Sequence, residues 1–209
     1  MAGMSVQTKF EQPAEFAFTP ENLEKAKWHI AKYPAGRQQS AVMPILWLAQ
    51  QQHGNWIPEA AMRVIADMLG MPYIRVVEVA SFYTQYNLAP VGRYHLQCCT
   101  TTPCWLRGSD EVLRAVKDVA GIRPGETSAD GLFTVTEVEC LGACANAPMM
   151  EMNAHDGTDV YYEDLTYENT RELLLKLKRN EKPVVGSQTG RCTSEPEGGL
   201  TSLTEKVSA

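Results

Sequence analysis

The sequence predicts an α/β protein built from a small helical bundle followed by a small sheet covered by helices. Three observations carry this. Apolar residues recur at helical spacing through residues 20–83. Alternation of apolar and polar residues begins after Val91. The later segments then read strand, helix, strand, strand, strand, helix.

Taken in order, residues 1–18 show no periodicity and are expected to be flexible. TPENLEKAKWHIAKYP reads as a helix, with Thr19 as N-cap, Pro20 at the first helical position and Pro34 as the stop. Residues 38–53 place Val42, Ile45, Leu46 and Ala49 on one face, and Gly54 ends the run. A third helix opens at Pro58, carries Ala61, Val64, Ile65 and Met68, and is capped by Gly70. A fourth covers about 74–83, with Val76, Val77, Val79 and Ala80. These make a helical domain over 19–88.

The second domain is expected over 89–182. GRYHLQC alternates like a strand, and Ser109 and Asp110 cap a helix that buries Val112, Leu113, Val116 and Val119. Asp130-Gly131 is a turn, and LFTVTEVEC, PMMEMN and DVYYED read as strands. Thr166 opens the last helix, whose Leu173, Leu174, Leu175 and Leu177 read as core; it is too short for a zipper. Residues 183–209 are polar and Gly/Ser/Thr-rich. They are expected to form an extended tail with no structure of its own, suited to wrapping a neighbouring subunit.

The chain has 209 residues, 44% hydrophobic, with a formal net charge of −6 and a pI near 5.3. The acidic balance argues against binding nucleic acid or an anionic membrane. No apolar run approaches the ~18 residues of a membrane helix. The N-terminal segment lacks an apolar stretch and carries Glu11 and Glu15, so neither a secretory signal nor a transit peptide is expected. In the reducing compartment this implies, six cysteines read as metal ligands or catalytic thiols before disulfides.

Four of them fall into two pairs, Cys99-x4-Cys104 and Cys140-x3-Cys144, separated by 35 residues, room for a helix and a strand. Two pairs on loops that follow strands can converge at one end of a sheet. Four thiolates suit an iron–sulfur cluster or a structural zinc. The x4 and x3 loops favour a [2Fe–2S] cluster, since zinc knuckles and thioredoxin dithiols use C-x-x-C. Zinc and unliganded thiols remain open on spacing alone. Thr100, Thr101 and Thr102 supply hydroxyl and amide donors, and Gly142, Ala143 and Ala145 admit close backbone approach; both would stabilise an anionic cluster. Cys98 and Cys99 point to opposite faces of their strand. Tyr94, Leu96 and Cys98 form the apolar side, so Cys98 reads as core and Cys99, with His95 and Gln97, as the liganding side. Cys192 reads as a free thiol. His53 and His95 read as structural, Trp56 and Trp105 as packing, and Met149, Met150 and Met152 as core filling.

These motifs carry a resemblance. CTTTPC followed by VECLGACANAPMM resembles the E-type [2Fe–2S] subunit family of respiratory NADH:quinone oxidoreductase, complex I. GNWIPEAAMRVIADMLGMP, EVASFYTQYN, YYEDLT and the tail SEPEGGLTSLTE extend it over most of the chain, towards the alphaproteobacterial and mitochondrial branch. One departure is GNW at 54–56, where the family pattern reads GW. The resemblance implies a helical bundle followed by a thioredoxin-like domain holding one [2Fe–2S] cluster, with Cys99, Cys104, Cys140 and Cys144 as ligands. It implies an electron-transfer subunit with no active site of its own. Its partner would be the flavoprotein subunit that binds NADH and FMN, and it would sit in the peripheral arm, on the cytoplasmic or matrix face of the membrane. No Gly-rich phosphate loop argues otherwise. Two alternatives stand: the equivalent subunit of an NAD-linked hydrogenase or formate dehydrogenase, and a zinc-stabilised interaction module.

Overall fold

A computed structural model describes residues 10–196, 198, 199 and 202. The chain divides into two units after Val91, with the turn His155–Gly157 grouped with the first.

The first unit is helical: α1 (Pro20–Ala31), α2 (Val42–Gln52), α3 (Glu59–Leu69) and α4 (Tyr73–Phe82). The caps follow the sequence. Thr19 Oγ1 accepts from the Asn22 amide at 3.2 Å, and Gly70 closes α3 at φ 59°, a left-handed conformation open to glycine. Ile45, Leu46, Ala49, Ile57, Ala61, Ile65 and Val76 form its core. The leading segment is more ordered than its composition suggests. Phe10 packs edge-on against Trp56, Phe16 against Phe18 and His53, and the Gln12 carboxamide accepts from the Glu59 amide. Aromatic residues too sparse to show a period still anchor residues 10–18 on the helices. Residues 1–9 lie outside the described chain.

The second unit holds β1 (Tyr94–Cys99), α5 (Thr102–Leu106), α6 (Ser109–Ala120), β2 (Phe133–Val138), β3 (Met150–Ala154), β4 (Asp159–Glu163), α7 (Tyr167–Lys178) and β5 (Gly186–Ser187). The strands form one sheet in the order β2-β1-β3-β4-β5. β1 and β2 are parallel and joined through α5 and α6, while β3 runs antiparallel to both β1 and β4. Three features were not legible in the sequence. α5 is too short to show a period. α6 is capped by Gly108 at φ 95° and not by Ser109 or Asp110; Ser109 is already helical and buried. The tail contributes β5, parallel to β4, and so is folded onto this unit through Glu195. Tail residues 197, 200, 201 and 203–209 lie outside the described chain. The last helix opens as expected, with a reciprocal capping box between Thr166 and Asn169.

The sheet has two different faces. Leu96, Cys98, Phe133, Val135, Met150, Met152 and Tyr162 join Val112, Val116, Leu173, Leu174 and Leu177 from α6 and α7 in an apolar core. Each fully buried leucine there is worth roughly 1.5–3 kcal/mol relative to exposure. The other face is polar. His95 Nε2 meets Thr136 Oγ1 at 2.8 Å, and Gln97 Nε2 donates to Asn153 Oδ1. Asn153 Nδ2 in turn donates to Asp159 at 2.9 Å and to Glu151 at 3.3 Å. Burial, reinforced by the neighbouring Asp159 carboxylate, raises the Glu151 carboxyl to about 7.

An acid whose folded value lies above its unfolded one binds the extra proton only when folded. Its stabilising effect is therefore full below the unfolded value, 4.5, and is lost as pH rises through about 7. Glu151→Gln is expected to melt higher than the parent at about pH 8 and to lose that advantage towards about pH 5. Thermal unfolding of both chains across that range checks this; parallel curves would contradict it.

Candidate metal centre

β1 carries Cys98 and Cys99 at its end, and pleating sends them to opposite faces. Cys98 is 1% exposed in the core shared with α6 and α7. Burial, with the neighbouring Cys99 and Glu137 charges, pushes its thiol up to about 12, so it stays protonated. Cys99 lies on the other side, packed with Cys104, Ala147 and Met149 and bordered by Leu141, Ala143 and Tyr161.

α5 brings Cys104 back towards Cys99. Pro103 sits in its first turn, where a missing N–H costs nothing. The Cys104 thiol lies against the Cys99 thiol and takes a hydrogen bond from the Met149 amide. Burial, then Cys99, raises it to about 12. The second pair lies two and six residues past the end of β2. Cys140 Sγ and Cys144 Sγ are 3.3 Å apart, and Gly142, at φ 88°, donates its amide to Cys140 Sγ at 3.4 Å. That amide and the Cys144 thiol hold Cys140 below the ordinary thiol range, while Cys140 pushes Cys144 up.

Thr101 joins the pairs. Its hydroxyl is 3.2 Å from Cys99 Sγ and also bonds to Cys140. Tyr161 Oη donates to Leu141 O at 3.0 Å, steadying the second loop from β4. The TTTP run suggested donors near sulfur without saying which threonine turns inward. Nothing in the sequence marked Tyr161, because strand pairing brings it there.

These residues fit a two-iron cluster. Two thiol pairs stand side by side, each able to hold one iron, with a hydroxyl and two amides aimed at sulfur. Among the described residues, no group of three or more His, Cys, Asp or Glu side chains stands close enough to hold a metal ion as the chain lies. Of the other residues singled out in the sequence, Met150 and Met152 fill the sheet core, while Met149 packs against Cys99 and Cys104. Cys192 is exposed on the tail. His95 is buried with Thr136, and burial lowers it to about 4, so it is neutral. His53 packs between Phe16 and Trp56. Trp56 is buried as expected, but Trp105 is not a packing residue: it is 60% exposed, because α5 turns it outward when it turns Cys104 in.

A family model for thioredoxin-like [2Fe-2S] ferredoxins matches residues 26–178. The E-type NADH-quinone oxidoreductase subunit of Rickettsia conorii is 48% identical over 165 residues, covering 79% of this chain and 96% of the relative. The mitochondrial NADH dehydrogenase [ubiquinone] flavoprotein 2 of Dictyostelium discoideum is 48% identical over 190 residues, 91% of this chain and 75% of the relative. The chain belongs to the thioredoxin-like [2Fe-2S] ferredoxin family, in its branch of NADH-quinone oxidoreductase subunits. Members of this family carry one [2Fe–2S] cluster, and the thiol pairs above suit it. The family's fold also appears in the structure of an NAD+-reducing [NiFe]-hydrogenase in the air-oxidised state. That likeness has a TM-score of 0.56 at 19% identity and covers 70% of this chain but only 24% of the hydrogenase chain. It is a likeness of fold.

In the cluster-free native chain, Cys140, Cys144 and Cys192 are exposed, and Cys98, Cys99 and Cys104 are buried. Alkylation followed by mass spectrometry is expected to label the first three promptly and the others only after unfolding. Prompt labelling of Cys98 would contradict the β1 register.

Proposed function

We propose that this chain is an electron-transfer subunit of NADH:quinone oxidoreductase. In this reading its single [2Fe–2S] cluster is held by Cys99, Cys104, Cys140 and Cys144 and exchanges electrons with the FMN of a neighbouring NADH-binding flavoprotein subunit. The observation that carries the reading is the meeting of two thiol pairs in a chain 48% identical to an NADH-quinone oxidoreductase subunit over nearly that relative's whole length.

The cluster, when bound, takes up and releases one electron at a time. The chain's own residues do the rest. The buried pair anchors the centre to the sheet, and the exposed pair closes it from the loop. Thr101, Gly142 and Met149 place donors against the sulfurs, where they favour the more negative, reduced form. Trp105 and Leu106, 60% and 70% exposed, put apolar surface one and two residues from Cys104, suited to a partner that must come close. No described helix is long and apolar enough to cross a membrane, which suits a peripheral position in the assembly. The equivalent subunit of an NAD-linked hydrogenase has weaker support, since the hydrogenase likeness is one of fold at 19% identity.

The test uses the full chain loaded with iron and sulfide. The parent and Cys98→Val are expected to be brown and to give the same EPR signal after dithionite. Cys99→Ser, Cys104→Ser, Cys140→Ser and Cys144→Ser are each expected to lose or visibly alter it. NADH is expected to reduce the cluster only when the flavoprotein subunit is added. A colourless parent holding one zinc, or an unaltered signal in Cys99→Ser, would contradict the proposal.

A further inference from the structure

After α7 the chain returns along the sheet edge. Gly186 and Ser187 pair with Tyr162 and Glu163 of β4, and the following residues reach the second cysteine loop. Arg191 is central to this segment, with its side chain 12% exposed against Asp164 at 7%. Its Nε donates to Asp164 Oδ2 at 3.0 Å and its Nη2 to Oδ1, a bidentate pairing that lysine cannot reproduce. Nη2 also donates to the carbonyl of Ala145 at 3.1 Å, and Nη1 to the carbonyl of Glu195 at 2.9 Å. Asp164 accepts further bonds from Ser187 and Thr189. It adopts φ 53°, a left-handed conformation uncommon for a non-glycine residue, held here by these neighbours.

A second bond runs from the loop side. Asn146, 3% exposed, donates Nδ2 to the carbonyl of Thr193 and to Glu163 Oε2, both at 2.6 Å. The turn Cys144–Asn146 is therefore tied to the tail at two successive residues, Ala145 and Asn146, immediately after Cys144. Cys140 and Cys144 themselves are exposed and gain little from burial. A buried ion pair is a poor source of net stability, because desolvation offsets most of its attraction, but it does impose geometry.

We propose that residues 187–196 are a strap that holds the Cys140–Cys144 loop in liganding geometry, with Arg191 as its positioning residue. This rests on the ligand assignment under Proposed function. It adds a role for a segment whose composition suggests only a tail, and it places the support for the exposed pair outside the cysteine motif.

The test compares the cluster-loaded full chain with Arg191→Gln, Arg191→Lys and Gln188→Ala. Among the described residues, the Gln188 side chain bonds to the carbonyls of Val184 and Gly186 within the tail, so its variant controls for a general disturbance. Iron loss to a chelator, the EPR line shape of the reduced chain and the melting of the cluster-free chain are measured together. Arg191→Gln is expected to lose iron about tenfold faster, the size usual when the support of a metal ligand is removed, and to shift the EPR signal. Arg191→Lys is expected to fall between, and Gln188→Ala to match the parent. Should Arg191→Gln fail to fold, Arg191→Lys decides: parental iron retention and line shape would overturn the strap. Iron loss that merely tracks melting across all the chains, with an unchanged EPR signal, would also overturn it. A parent without a two-iron signal would instead overturn the ligand assignment, and the strap's role with it.

Discussion

The parallel pairing of β1 with β2 is the constraint on which the site depends. Parallel strands end on the same side of a sheet, so the loops that leave them start together. The register sets Cys99 opposite Val138, and Cys140 follows two residues later. One-residue slippage would exchange Cys98 and Cys99 between the core and the thiol cluster, turning a thiol raised to about 12 by burial towards Cys104 and sending its neighbour into the apolar layer. The apolar face prevents this, since Leu96, Cys98, Val135 and Met150 pack against α6 and α7 only in the observed register. The core of the second unit therefore sets which cysteine is available, as well as its stability.

The two thiol pairs are supported in different ways. Cys99 and Cys104 belong to a small buried cluster with Ala147 and Met149, and burial raises the Cys104 thiol to about 12. Under the proposed ligand assignment, loading a metal would expel the Cys104 proton against that cost, which would couple metal binding to proton release. Cys140 and Cys144 are exposed, and their geometry comes from hydrogen bonds: Gly142 and Thr101 on Cys140, Tyr161 on Leu141, and the tail on Ala145 and Asn146. A half-buried, half-open centre would suit the proposed electron exchange, since one side is packed and the other is near the surface.

Much of this was legible in the sequence. The cysteine spacing, the change from helical to alternating periodicity near Val91 and the face assignment of Cys98 and Cys99 all follow from local rules. What escaped has physical reasons. α5 is five residues long, too short for a period, yet it turns Cys104 inward and Trp105 outward. Arg191 lies in a stretch with almost no apolar residues, where composition suggests disorder, and its partners are distant in sequence: Asp164, 27 positions away, and the Ala145 carbonyl, 46 away. Thr101 is indistinguishable from Thr100 and Thr102 until the backbone turns. Thr100 bonds instead to Glu137 on β2.

Iron K-edge X-ray absorption on the reconstituted full chain reads metal count and ligand set together. A cluster held by Cys99, Cys104, Cys140 and Cys144 predicts two irons per chain, each surrounded by four sulfurs and each with the other iron as its nearest metal neighbour. A single metal with four sulfurs and no metal neighbour, or a first shell containing imidazole nitrogen, would contradict it.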